Sequence, residues 1–323
     1  MFNVTVVDIE RRPVVLETLA PLSEHAKVTL VDPEDKEALC KLLSESDALV
    51  VRLYPTGRDL LAMAPRLKVV IKVGVGVDNI DVAAATEMGI HVAVSPGNHI
   101  SVAETAILLM LAVSRNLIYL NKNVHPDAAK AGKELCDKHL GLVGFGRIGS
   151  HVAQIARGFG MHVKVFDPYI SDAAKKEIPC TFTTFEDVIT TSDFISLHCP
   201  STPDTFHLIG EKEFAAMKND AVIVNTARGA VIDEAALVMA LRNAVIGGAG
   251  LDVVENEPLT AENPLLALDN VIVTPHKLIQ TVDSFRRQTG SIVEAAIEFS
   301  RGTVSPLSIN KDKIDPKKDR MKR

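Results

Sequence analysis

Three polar residues fall just beyond short apolar runs: Arg228 after 222–226, Glu257 after 250–253 in a loop that continues into Pro258, and His276 after 271–274, directly behind Pro275. Together they are the groups needed to move a hydride and a proton on a 2-oxo or 2-hydroxy acid. The arginine fork matches a carboxylate and polarises the adjacent carbonyl. The imidazole gives its proton to the carbonyl oxygen, or takes it back, a transfer worth roughly a hundred- to ten-thousand-fold in rate. A carboxylate on the other ring nitrogen fixes the tautomer and favours the charged ring. Taken singly, each has a duller reading: Arg228 as a loop ion pair, Glu257 as a solvated acid, His276 as one of ten histidines at the surface or satisfied in the core. Their shared position carries the inference, because ligands of a doubly wound sheet bind beyond the carboxyl ends of its strands.

A seat for the hydride carrier lies upstream. Gly144, Gly146 and Gly149 are spaced GxGxxG, with Arg147 and Ile148 between the last two. Glycines there let the chain turn off a strand, approach a pyrophosphate and open a helix whose N-terminal N–H groups face the phosphates. Context raises the motif above chance, since 139–143 and 162–166 read as strands and 148–160 as a helix. Asp167, eighteen residues past Gly149, is placed to accept the ribose hydroxyls and repel a 2′-phosphate. Pro168 and Tyr169 supply no arginine to welcome one, so NAD is expected rather than NADP.

These residues need a frame, and the chain supplies βα alternation. Apolar runs near 4–7, 27–31, 48–52, 67–73 and 90–94 precede the glycine motif, and runs near 194–198, 221–226, 247–253 and 271–274 follow its two strands. Continuous rather than alternating apolar character points to parallel strands buried on both faces, hence an α/β fold. The second unit has the six strands of a full dinucleotide fold. Segment 101–119, apolar nearly all round, predicts one long buried helix leading into it, and 281–300 predicts an amphipathic helix that crosses back to a discontinuous first domain.

The chain has 323 residues, 47% of them hydrophobic and 24% charged, which suits two globular domains. No apolar run approaches the roughly 20 residues that span a bilayer. No cationic segment and long apolar stretch follow Met1, so a cytoplasmic location and no membrane partner are expected. A net charge of −6 argues against nucleic-acid binding. The basic tail 311–323 reads as a solvated terminus. Cys40, Cys136, Cys180 and Cys199 have no metal spacing, so they are expected to be reduced and mostly buried, with no metal held.

Over roughly 47–276 the chain resembles the D-isomer-specific 2-hydroxyacid dehydrogenases, including the 3-phosphoglycerate dehydrogenases. The resemblance runs through 72–81 (KVGVGVDNID), 101–104 (SVAE), 141–149, 198–200 (HCP), 225–229 (NTARG), 251–258 (LDVVENEP) and 274–276 (TPH). It implies two doubly wound parallel-sheet domains, with a Rossmann NAD-binding domain (98–280) inserted in a flavodoxin-like substrate domain (1–97 and 281–323). It also implies a cleft that closes by hinge motion and a homodimer. In site terms it implies the roles given above for Arg228, Glu257 and His276, and substrate-carboxylate binding by the N–H groups of Val75 and Gly76. The resemblance further implies that Asn98 binds substrate, that Asp252 lies near the nicotinamide carboxamide, and that His198, Pro200, Thr226 and Ala227 face the nucleotide.

Arg52 and Lys72 end two strands of the first domain, and both are expected to reach the substrate. Such a basic pair resembles the pocket of 3-phosphoglycerate dehydrogenases and predicts a small acid with a distal phosphate, sulfonate or carboxylate. The duller reading is two solvated edge charges. Hydroxypyruvate or glyoxylate reduction is the second expectation, and an NAD-sensing corepressor, a binding protein on the same fold, is the alternative from another class. The chain departs from the family in three places. Residues 277–280 (KLIQ) replace a small, glycine-containing stretch, so Lys277 would oppose Glu257 if it pointed inward. The segment between Arg115 and Gly132 is short and lacks a tryptophan, which bears on the dimer contact. The chain ends soon after the closing helix, so feedback through a regulatory domain is not expected.

Overall fold

The computed structural model describes residues 1–9, 11–125, 131–171, 175 and 178–322. Two compact units emerge, Met1–Asn98 with Thr281–Arg323, and His99–Gln280. Asn98, expected to open the nucleotide-binding segment, falls in the first unit.

The first unit alternates strands β1 (Phe2–Val7), β2 (Ala26–Val31), β3 (Ala48–Val51), β4 (Val69–Val73) and β5 (His91–Ser95) with helices α1 (Pro13–Leu19), α2 (Lys36–Glu45), α3 (Arg58–Ala62) and α4 (Val82–Glu87). All pairings are parallel, in the order β2-β1-β3-β4-β5. This is the flavodoxin-like order. Every residue of β3 is buried, as expected where helices cover both faces.

The second unit contains α5 (His99–Ser114), α6 (Leu117–Lys122), β6 (His139–Val143), α7 (Arg147–Gly158), β7 (His162–Phe166), β8 (Thr181–Phe182), α8 (Phe185–Thr191), β9 (Phe194–Leu197), α9 (Glu211–Ala216), β10 (Val222–Asn225), α10 (Glu234–Arg242), β11 (Gly248–Leu251) and β12 (Val271–Val273). Helix α11 (Val282–Ser300) belongs to the first unit, where its Ile292, Ala295, Ala296 and Phe299 join the core formed by β1, β3 and β4. The second sheet is also parallel, ordered β12-β11-β10-β9-β6-β7-β8. The order reverses between β6 and β9, the switch point where a doubly wound sheet binds its ligand. Gly250 on β11 lets α5 lie close, since a Cβ there would stand 2.8 Å from that of Leu109.

Four expectations need correction. The single helix over 101–119 is two, because Asn116 takes a left-handed φ of 52° between α5 and α6. Apolar periodicity runs through the break and cannot show it, whereas asparagine tolerates that conformation. The second sheet has seven strands rather than six, and β8, two residues long, is too short for any periodicity to reveal. Cys40 and Cys136 are exposed and Cys180 and Cys199 half-buried, so the thiols are not mostly buried.

The tail is exposed over most of 311–318, but its end is anchored to the fold rather than solvated. Arg320 donates to the carbonyl oxygens of Met88, Ala64, Pro65 and Leu67 at 2.8–3.3 Å. Asp319 Oδ1 and Ser308 Oγ lie 3.2 and 3.1 Å from the two ring nitrogens of the buried His91. A basic composition says nothing about carbonyl groups elsewhere in the fold that need donors. Arg323, like 126–130 of the shortened segment, lies outside the described residues.

Candidate active site

The glycine loop begins where β6 ends. Gly144 takes φ +95° and donates its N–H to Phe166 O at 2.9 Å. A Cβ on Gly144 would lie 2.7 Å from the His198 carbonyl carbon, so the turn presses against the end of β9. Gly146 has nothing within 4 Å of where its Cβ would stand, which leaves the backbone open to a phosphate just before α7. The first turn of α7 has no side-chain cap. Asp167 spans the loop: its Oδ2 accepts the Phe145 N–H at 2.7 Å and its Oδ1 the Tyr169 N–H at 2.8 Å.

Two polar atoms just past the ends of β9 and β10 lack partners among the described residues. His198 Nδ1 and Thr226 Oγ1 are buried with no hydrogen bond among the described residues, whereas His198 Nε2 meets Ser196 Oγ at 2.9 Å. Burial pushes the His198 imidazole down to about 3, so the ring is neutral. Orphaned buried atoms cost about 1–3 kcal/mol each. An open glycine cradle and two unsatisfied groups at neighbouring strand ends fit a dinucleotide. The same edge holds Pro200, which is exposed, and Ala227, whose N–H goes to Asn225 Oδ1 at 2.9 Å.

Arg228 leaves β10 through a turn set by the buried Asn225, which also donates from Nδ2 to Arg228 O at 2.8 Å. Asn225 opens the 225–229 motif, and its role as turn-former is the one asparagine commonly plays at a strand end. Arg228 Nη1 donates to Ala227 O at 2.7 Å. Its neighbour Gly229 packs on the loop after β11, where a Cβ would stand 1.9 Å from Val254 O. That loop carries Glu257, whose Oε2 lies 3.0 Å from His276 Nδ1. Burial alone would raise the Glu257 carboxyl, but the hydrogen bond and charge of His276, the Val254 N–H and the Arg228 charge outweigh it and hold it below its usual range. The ionised carboxylate assigns the Nδ1 proton to His276, leaving Nε2 for the chemistry. Arg228, Glu257 and His276 are thus brought together.

Asp252 has an internal task that the sequence did not show. It is 1% exposed, and its Oδ1 accepts from Thr274 Oγ1 at 2.6 Å and from the Lys277 and Leu278 N–H groups at 3.2 Å. Burial raises its carboxyl, only partly opposed by those donors and the His276 charge. These bonds pin the segment that holds His276 in its left-handed φ of 54°. Lys277 is exposed, while Leu278 packs against the core beside Ile272.

The remaining expected residues lie in the first unit. Lys72 is 5% exposed within β4, not at its end, and its ammonium donates to Arg52 O, so it is not a solvated edge charge. Asp8, in a left-handed φ of 53°, accepts the N–H groups of Arg52, Leu53 and Tyr54 at 2.5–2.6 Å. It escaped sequence reading because it lies 44 residues from Arg52. Val75 is 45% exposed, Gly76 and Asn98 are partly exposed, and the preceding Gly74 N–H goes to Ser95 Oγ at 2.9 Å. Among the described residues no cluster of His, Cys, Asp or Glu is placed to hold a metal ion, and no helix is long and apolar enough to cross a membrane.

A parallel sheet with a glycine loop at its switch point and an Arg–Glu–His set on the same edge defines a dinucleotide-dependent oxidoreductase. Comparison with known proteins makes the class specific. The profile described as D-isomer specific 2-hydroxyacid dehydrogenase, NAD binding domain, matches residues 107–277. A glyoxylate reductase of Korarchaeum cryptofilum is 36% identical over 309 residues, covering 92% of this chain and 93% of that one. A D-3-phosphoglycerate dehydrogenase of Methanocaldococcus jannaschii is 41% identical over 305 residues, covering 92% of this chain but 58% of its own length. The chain therefore spans little more than half of that relative. The crystal structure of an Aquifex aeolicus D-lactate dehydrogenase complexed with NAD and lactic acid superposes with TM-score 0.80 at 30% identity, covering 93% and 96% of the two chains. The chain belongs to the D-isomer specific 2-hydroxyacid dehydrogenase family, and it is an NAD-dependent enzyme.

Proposed function

We propose that the protein interconverts a small D-2-hydroxy acid and its 2-oxo acid, and that the acid carries a second anionic group of the phosphate, sulfonate or carboxylate kind. The observation that supports the reaction is the Glu257–His276 contact at 3.0 Å within reach of the Arg228 charge. Arg228 holds the substrate carboxylate in a fork and draws electron density from the adjacent carbonyl. His276 donates its Nε2 proton to the carbonyl oxygen during reduction and receives it during oxidation. Glu257 orients the ring through its contact with Nδ1. Gly144, Gly146, Arg147, Ile148, Gly149, Asp167, His198, Pro200, Thr226, Ala227 and Asp252 would hold NAD, which would supply or accept the hydride at C2. The N–H groups of Val75 and Gly76, with Asn98, assist in binding the acid.

The second anion is assigned to Arg52, backed by Lys72. Lys72 is buried, and a cation away from water is worth more to an anionic ligand than one at the surface. A second reading, glyoxylate or hydroxypyruvate reduction, is favoured by the bond from Lys72 to Arg52 O, which commits part of the ammonium to holding the loop. Initial rates of NADH oxidation with glyoxylate, hydroxypyruvate, phosphohydroxypyruvate and sulfopyruvate separate the two. Preference for an acid with a distal anion, lost in Arg52→Gln, is the expected result, and equal efficiency on glyoxylate excludes it. Nucleotide binding without turnover of any acid would favour the corepressor-like alternative. We read the protein further as a cytoplasmic homodimer, which sedimentation and fractionation test.

A further inference from the structure

The loop after β11 carries two histidine–glutamate pairs. Besides Glu257 with His276, Glu255 Oε1 lies 2.7 Å from His207 Nε2. Both histidines hold a left-handed backbone, φ 50° at His207 and 54° at His276, a conformation that L-residues adopt only where the surroundings impose it. Glu255 is fixed on its other side by a reciprocal pair of bonds: its Oε2 accepts the Glu234 N–H at 3.2 Å, and its own N–H goes to Glu234 Oε2 at 2.9 Å. Asn263 Nδ2 donates to Glu234 Oε1 at 2.8 Å, and Asp233 Oδ2 stands 3.9 Å from His207 Nδ1. His207 N–H donates to Ala230 O at 2.9 Å, two residues past Arg228. One residue thus touches both segments of the acid–base set, by its backbone near Arg228 and by its ring two residues before Glu257.

We propose that His207 is a positioning residue that, through Glu255, holds the 254–258 loop so that Glu257 reaches His276 Nδ1. The proposal rests on the reading of Glu257 and His276 as the proton-handling pair. Residues 255 and 257 share a short irregular segment, and release of one end lets the other drift. A displacement of about 1 Å is enough to cost on the order of a hundredfold in a proton-transfer step.

The test uses pH–rate profiles of the full-length holoenzyme with NADH and glyoxylate, supported by ¹⁵N-histidine NMR titration of His276 in the same samples. His207→Ala lowers kcat about tenfold with KM for glyoxylate within about twofold, and moves the alkaline limb of reduction to lower pH. Glu257→Gln moves that limb in the same direction, and His207→Ala adds no further movement in the Glu257→Gln background. His207→Gln, which restores a donor toward Glu255, recovers most of kcat, and Glu255→Gln stands in if His207→Ala does not fold. A limb moved by Glu257→Gln but not by His207→Ala overturns the positioning role alone. A limb moved by neither overturns the acid–base reading and this proposal with it.

Discussion

The Oδ2 of Asp167 accepts the N–H of Phe145 at 2.7 Å, so the carboxylate assigned to the cofactor ribose also fixes the middle of the glycine loop. The proposed ribose role of Asp167 would therefore link cofactor choice to loop geometry in one side chain. Asp167→Ala is expected to narrow the preference for NADH over NADPH while weakening both, because the loop loses its tether along with its repulsion of a 2′-phosphate. KM for each nucleotide checks this, and a wild type that already prefers NADPH contradicts it.

Asp252 fastens the His276 segment with three accepted bonds. Asp252→Ala leaves a buried hydroxyl and two N–H groups without their acceptor, at about 1–3 kcal/mol each before relaxation. The expected result is a kcat loss of roughly a hundredfold or more with a lowered melting temperature. Asp252→Asn, which keeps an acceptor, retains most of the stability. Equal melting temperatures for the two variants would remove the fastening role.

His198, pushed down to about 3 by burial, sets an acid limit on the second unit. Its folded value lies below the unfolded value near 6.5, so the unfolded chain binds more protons between the two. Stability is full above about pH 6.5 and falls as pH drops, by up to about 1.4 kcal/mol per pH unit from this group. Urea unfolding at pH 7.5, 6 and 5 should give a shallower decline for His198→Gln than for the wild type.

Arg320 satisfies four carbonyl groups of the first unit. Arg320→Ala is expected to destabilise that unit by about 2–4 kcal/mol, at about 1 kcal/mol per bond, without changing the affinity of the second unit for NADH. Thermal unfolding and fluorescence titration measure the two effects. Unchanged stability would mean that water replaces the guanidinium without loss.

Much of this protein is written locally. Val-rich runs marked β1, β3 and β4, and the spacing of Gly144, Gly146 and Gly149 marked the turn from β6 into α7, because strand burial and tight turns impose residue types at short range. The strand-end positions of Arg228, Glu257 and His276 were legible for the same reason. What the linear pattern could not carry was pairing across distance. Asp8 under Arg52, Asp252 under Thr274, His207 against Glu255 and Arg320 beneath the α3–α4 region join residues from 22 to 256 positions apart. None has a periodic or motif signature, since a hydrogen bond depends on where two atoms end up. Residue type and spacing determined which chemistry is available, and only the tertiary structure decided which side chains hold it in register, because those contacts form after the sheets have brought the loops together.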